Sequence, residues 1–214
     1  MTPAQRLSAA AHLQKTDRPP CICPGGMMNM IVADVMERAN SFLPFAHSDP
    51  HKMAALTRTL YECGGFENYG VPFCMTVEAE ALGAKADLGD CTVEPHVIDA
   101  PLSSAAQIEK LQAMDLHSGR CAAVLEAIRI LKARDDGVPV VGNITGPVSV
   151  AGTVVDMSKL LMEFIKQPED CHRLLRFICD NLIAYGQAQL AAGADAICIA
   201  EPSGTGEILG KRLF

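Results

Sequence analysis

The stretch Gly193-Ala-Asp-Ala-Ile-Cys-Ile-Ala-Glu-Pro-Ser-Gly-Thr-Gly-Glu-Ile-Leu209 decides the fold class of this chain. Residues 194–200 are an almost unbroken apolar run, closed by Glu201 and a Pro-Ser-Gly turn signal. A run of that length and composition predicts a strand buried on both faces, which is the habit of a parallel sheet. Immediately upstream, Pro168–Ala192 has helical spacing, with proline near its start and Gly193 at its C′ position. A long helix feeding a doubly buried strand is the alternation of an α/β protein.

Outward from there the same alternation recurs. Val138–Ile144 reads as a continuous apolar strand, ending at the Thr145-Gly146-Pro147 break, and Ser158–Ile165 as a helix. Before it, Leu116–Asp135 is helical, a helix starts near Ser104, and Cys91–Ala100 alternates like a solvent-edge strand or hairpin arm. Phe66–Met75 reads as a short strand feeding an ordered loop. Asp49-Pro50 opens a helix that runs to about Cys63, with Asp49 as N-cap. Met27–Asn40 has helical spacing, Cys21–Pro24 is a short apolar run, and residues 1–18 form an N-terminal helical extension. Four βα units are half a (β/α)₈ barrel, which typically needs ~250 residues. An open doubly wound sheet is the alternative, but no Gly-x-Gly-x-x-Gly follows the first strand. A chain that stops early in a helix after a strong strand reads as cut. Residues 1–214 are therefore expected to be one partial barrel, which either self-associates through the 194–200 edge or is a piece of a longer polypeptide.

Composition narrows the function classes. A net charge of −7 without a basic cluster argues against a nucleic-acid backbone as partner. No apolar run reaches the ~18 residues that cross a bilayer, so no membrane partner is expected. The nine cysteines are scattered and odd in number, which suits reduced thiols in the cytoplasm better than a disulfide scaffold.

Three segments carry a resemblance: Phe66-Glu-Asn-Tyr-Gly-Val-Pro-Phe-Cys-Met-Thr-Val-Glu-Ala-Glu-Ala-Leu-Gly83, Gly142-Asn-Ile-Thr-Gly-Pro-Val-Ser-Val-Ala151 and the 193–209 stretch. Together they are similar to the uroporphyrinogen decarboxylase superfamily, which also holds the corrinoid-dependent methyltransferases. The resemblance implies a (β/α)₈ barrel, with this chain covering about its first half to two-thirds. The decarboxylases use an Arg-rich Met-Arg-Gln-Ala-Gly-Arg-Tyr loop, where this chain has Gly25-Gly-Met-Met-Asn-Met-Ile31. Their Phe-Ser-Asp aspartate is replaced by Asn68, and a later tyrosine falls on Thr153. What remains resembles the methylcobamide:thiol methyltransferase branch. That branch implies a methylated corrinoid as donor, a corrinoid protein as partner, and a small thiol such as coenzyme M as acceptor. It also implies zinc, which depresses the acceptor thiol's pKa. Its His-x-Cys and later Cys ligands are absent here and belong beyond Phe214, so no metal ligand is expected in this chain. The alternatives are a decarboxylase-like lyase on another substrate and a non-catalytic corrinoid- or partner-binding module.

Glu201 ends the strongest strand, at the end of a barrel where active sites are built. It acts either beside the zinc and thiol as the catalytic candidate or as a cap on the Ser203–Gly206 turn. Asn143 either hydrogen-bonds substrate or fixes the turn after it. Asn68 and Cys74 flank the loop where the family has its pocket wall, and Met27 is a candidate for lining a corrinoid or thiol pocket. Cys21-x-Cys23 points its thiols to opposite faces of a strand, which disfavours a metal. Glu78 and Glu80, two apart on a helix, do not face each other, and Glu78 is expected to interact with the helix N-terminus. The six histidines, His47 among them, read as dispersed surface groups.

Overall fold

The structure is a computed structural model that describes residues 1–23 and 31–213. Its centre is a parallel sheet of β1 (Tyr69–Val71), β4 (Val140–Thr145) and β5 (Ala196–Ala200), in the order β1-β4-β5. Tyr69 pairs with Val140 and Val71 with Gly142, while Val141 pairs with Ala196 and Thr145 with Ala200. Helices α3 (Pro50–Glu62), α5 (Gly119–Lys132) and α8 (Pro168–Ala192) separate and cover these strands. An antiparallel hairpin of β2 (Lys85–Asp87) and β3 (His96–Asp99) inserts after α4 (Val77–Ala81). No helix of the described residues is long and apolar enough to cross a membrane.

Local chemistry explains the element ends. Asp49 accepts from the backbone N–H groups of His51 (2.9 Å) and Lys52 (3.1 Å), and Pro50 takes the first helical position of α3. Gly193, at φ +115°, ends α8 in the left-handed region where only glycine is unstrained. In α1 (Pro3–Ala11) the Thr2 hydroxyl accepts from Gln5 N–H at 3.2 Å, and the Gln5 side chain accepts from Thr2 N–H at 2.9 Å. This helix docks at the entry end of the sheet through Ala4 N–H to Gly137 C=O, 2.9 Å. Buried Arg6 reinforces the junction with a two-pronged bond to Asp17 and a 2.7 Å bond to Glu67. Asp17 is thereby held well below the usual carboxylate range by the Arg6 guanidinium.

Gly142 fixes which way the sheet faces. A Cβ there would come within 2.1 Å of the Gln189 side-chain oxygen on α8 and 2.9 Å of Ile197 Cδ1 on β5. The Gly142 side of β4 therefore faces α8, and by the pleat Val141, Asn143 and Thr145 face the barrel interior, beside Ala196, Cys198 and Ala200. Gly142→Ala is expected to cost about 1–3 kcal/mol by overpacking, read as a lower urea midpoint. An unchanged midpoint would contradict this close helix–sheet approach.

Several expectations need correction. Residues 194–200 are not buried on both faces: β5 is an edge of the described sheet and Ile199 is 60% exposed. The break at Thr145-Gly146-Pro147 holds, since β4 ends at Thr145, but a helix absent from the sequence reading follows: Pro147 takes the first position of α6 (Pro147–Val154). That helix is apolar nearly all round, packed among α4, α7 (Met157–Lys166) and α8, and so lacks an amphipathic signature. The turn near Ser104 is a 3₁₀ helix, Ala105–Lys110. Residues 21–23 are extended but not a strand; they lie along the approach to β1, with Glu67 N–H donating to Cys21 C=O at 2.7 Å. Of the 27–40 helix, Ala33–Ala39 is α2, and the part before Ile31 lies outside the described residues.

Candidate active site

The C-terminal ends of the parallel strands collect the chemistry, as in barrels generally. At the β5 exit, Glu201 is locked in place. Its carboxylate accepts from Val148 N–H (2.7 Å), Ser149 N–H (3.2 Å) and the Ser149 hydroxyl (2.6 Å) at the start of α6. It also accepts from Ser203 N–H (3.1 Å) and Gly204 N–H (3.0 Å) in the turn that follows. A Cβ on Gly146 would lie 2.4 Å from Glu201 Oε2, so glycine is what admits the carboxylate at the β4 exit. One side chain thus joins the exits of β4 and β5.

A second carboxyl, missed from sequence as a functional group, joins α4 to the same exit. Glu78 is fully buried and accepts from Thr145 N–H (2.8 Å) and the Thr145 hydroxyl (2.9 Å). Burial raises its pKa, against the lowering effect of those bonds and of the Arg120 charge. Its neighbour Glu80 goes elsewhere, to Arg120 on α5 at 2.5 Å, as expected for positions two apart on a helix. Arg120, also buried, donates to Cys74 Sγ (3.1 Å) and the Thr76 hydroxyl (2.9 Å). Cys74, just past the β1 exit, is held between that guanidinium and the Thr76 hydroxyl. A legible signal existed: Arg120 sits in the first turn of α5, where a cation opposes the helix dipole and demands an acid partner.

The other candidates are placed differently. Asn143 is buried on β4, and its Nδ2 reaches across to Val71 C=O on β1 at 3.2 Å. Its Oδ1 has no hydrogen-bond partner among the described residues. Asn68 does not share an end with Cys74. It precedes β1, and its amide is engaged by the Cys23 backbone on both sides, accepting from N–H at 2.8 Å and donating to C=O at 3.1 Å. Met27 lies outside the described residues. Among the described residues no group of three or more His, Cys, Asp or Glu is arranged to hold a metal ion.

His47 corrects the reading of the histidines as surface groups. It is 2% exposed, and burial, helped by the positive charge of Arg120, lowers its pKa to about 4. An unfolded histidine protonates near 6.5, so between 6.5 and about 4 the unfolded state binds the extra proton. The stability that His47 contributes is therefore expected to fall as pH drops through that window, by roughly 3 kcal/mol, while buried Glu78 works in the opposite sense above 4.5. Carboxylates held low, such as Asp49, Asp90 and Asp136, act only at still lower pH. Urea unfolding at stepped pH checks this, with His47→Leu flattening the slope; an unchanged slope would contradict it.

Comparison with known proteins fits this geometry. The uroporphyrinogen decarboxylase (URO-D) family model matches residues 2–214. The methylcobamide:CoM methyltransferase MtbA of Methanosarcina acetivorans is 33% identical over 214 residues, all of this chain and 62% of that protein. MtaA of Methanosarcina barkeri, a methyltransferase of the same name, is 30% identical over 98% of this chain and 61% of its own length. The uroporphyrinogen decarboxylase of Myxococcus xanthus is 38% identical, but over 58% of this chain. Among solved structures, a methyltransferase from Methanosarcina mazei superposes with a TM-score of 0.89 at 30% identity, covering 97% of this chain and 61% of that one. The chain thus spans about three-fifths of the length of the methyltransferases it matches. With a family match from residue 2 to residue 214, the chain belongs to the uroporphyrinogen decarboxylase family and carries its (β/α)₈-barrel type of fold.

Proposed function

We propose that the whole protein moves a methyl group from a methylated corrinoid, presented by a corrinoid protein, to a small thiol such as coenzyme M. The carbon–sulfur bond forms as the cobalt–carbon bond breaks; the electron pair of that bond stays on cobalt, and the thiol proton is released. The observation that carries this reading is the chemistry of the strand exits. They gather thiol, amide, hydroxyl and carboxyl groups, and their buried cation, Arg120, is already paired with Glu80. Residues 24–30 add no lysine or arginine. A polycarboxylate porphyrinogen needs free cations, and the buried cation of the described strand exits is already paired, whereas a neutral methyl group and a thiol need none. The whole-chain similarity to methylcobamide:CoM methyltransferases points the same way.

Within that reading, Glu201 holds the mouth of the barrel beside the reacting thiol, and Cys74 and Asn143 contribute to the wall that substrate meets. Asn68 supports that wall from the β1 entry. Zinc, when bound, would act as a Lewis acid on the thiol, but the described residues offer no ligand set for it, and none of these roles depends on it. The cytoplasm is the compartment that suits the free cysteines.

An anaerobic assay of the whole protein with uroporphyrinogen separates the branches. No coproporphyrinogen is expected; its formation at an ordinary enzymatic rate would overturn the reading in favour of a lyase.

A further inference from the structure

The Glu201 carboxylate is held by two kinds of donor, backbone and side chain. Val148, Ser203 and Gly204 reach it with backbone N–H groups, at 2.7, 3.1 and 3.0 Å. Ser149, in the first turn of α6, gives its N–H to both oxygens at 3.2 Å and adds its hydroxyl to Oε1. At 2.6 Å that hydroxyl bond is the shortest Glu201 makes among the described residues. A donor facing an ionised acceptor makes the stronger class of hydrogen bond.

The same hydroxyl is a junction. A serine Oγ carries one proton and two lone pairs. With the proton given to Glu201, Ser149 Oγ accepts from Ser203 N–H at 3.3 Å and faces the Ser203 hydroxyl at 2.9 Å. Ser149, Ser203 and Glu201 thus close a ring that joins α6 to the turn after β5. Ser149 is 7% exposed, so water has little access to take the place of its hydroxyl. Donors occupy both Glu201 oxygens, so the influence of this carboxylate on a reacting group lies in where its charge is held.

We propose that Ser149 is a positioning residue for the methyl transfer, acting through Glu201. The proposal rests on the methyl-transfer reading. The hydroxyl aims Oε1 and locks it to the 203–204 turn, while the backbone donors carry the fold. Loss of the hydroxyl therefore spares the fold and frees the carboxylate to turn.

The test is steady-state methyl transfer by the whole protein, without oxygen, from methylcobinamide to coenzyme M, with kcat and KM for the thiol separated. Ser149→Ala is expected to lower kcat about 10-fold and to change KM by less than about 2-fold. In a Glu201→Ala background the same substitution is expected to change kcat by less than about 2-fold, because the hydroxyl has no carboxylate to act on. A folded Ser149→Ala with wild-type kcat, or a loss just as large in the Glu201→Ala background, overturns the proposal and leaves the methyl-transfer reading intact. If Ser149→Ala loses cooperative unfolding, Ser203→Ala takes its place, with an expected loss of about 3-fold that disappears in the Glu201→Ala background. If wild type transfers no methyl group, the methyl-transfer reading falls. The hold of Ser149 on Glu201 is then decided by the ¹³C NMR signal of the Glu201 carboxyl. That signal must move further in Ser149→Ala than in Thr153→Ala, whose hydroxyl bonds Val150 C=O in the same helix; a signal that stays put overturns the proposal.

Discussion

Glu201→Gln in the whole protein is expected to slow methyl transfer about 100-fold, equivalent to ~2.7 kcal/mol in the barrier, while the fold survives. The carboxylate accepts bonds on both oxygens from donors at the β4 and β5 exits. Glutamine fits the space but turns an NH₂ group toward one set of those donors. It also removes the negative charge that faces the N-terminus of α6. The exits then shift relative to each other, and a displacement of that kind near reacting atoms is costly to rate. A steady-state comparison at saturating corrinoid, with kcat and KM for the thiol separated, checks this. Turnover equal to wild type would leave Glu201 as a turn cap and nothing more.

Glu78→Ala is expected to destabilise the chain by about 3–5 kcal/mol, from two sources. Removing the carboxyl strands the Thr145 N–H and hydroxyl in a fully buried place, at roughly 1–3 kcal/mol for an unpaired group. It also opens a cavity that the packed surroundings fill incompletely. Glu78→Gln keeps an acceptor and the volume, so it is expected to cost about 1 kcal/mol. The two variants also separate by pH. Because the folded state raises the Glu78 pKa, it holds a proton that the unfolded chain releases near 4.5. The stability Glu78 contributes is thus fully present below that pH and is lost as pH rises through the folded value. Glutamine, which mimics the neutral acid, removes this dependence. Urea unfolding at several pH values reads both effects, and an alanine variant with the wild-type midpoint would contradict the buried-carboxyl account.

The elements legible in the sequence were those with punctuation of their own. Asp49-Pro50 opens α3, and Pro168 and Gly193 bracket α8, because caps act within a few residues. Helix α6 was illegible because it is surrounded by protein, which removes the polar face that periodicity detects. The site divides along the same line. Glu201 could be placed at a strand end by counting, since a strand end is a local feature, whereas Asn143 lies inside β4, paired with Cys198. Glu78 meets Thr145 from 67 positions away, and Arg120 meets Cys74 from 46, so nothing local marks either pair. His47 is buried for reasons no local signal shows: it is 2% exposed, and the charge it senses, Arg120, is distant in the chain. Asn68 is assigned beside a pocket wall by the resemblance alone; its side chain bonds the Cys23 backbone, accepting from N–H and donating to C=O.

The most direct measurement is the fate of a ¹³C-labelled methyl group on a corrinoid incubated anaerobically with the whole protein and coenzyme M. The account predicts that the label leaves cobalt and appears on sulfur in a catalytic, thiol-dependent manner, with the reduced cobamide formed in equal amount. Label that stays on cobalt over many protein equivalents of time and thiol, in a preparation that is folded and binds the corrinoid, would contradict it.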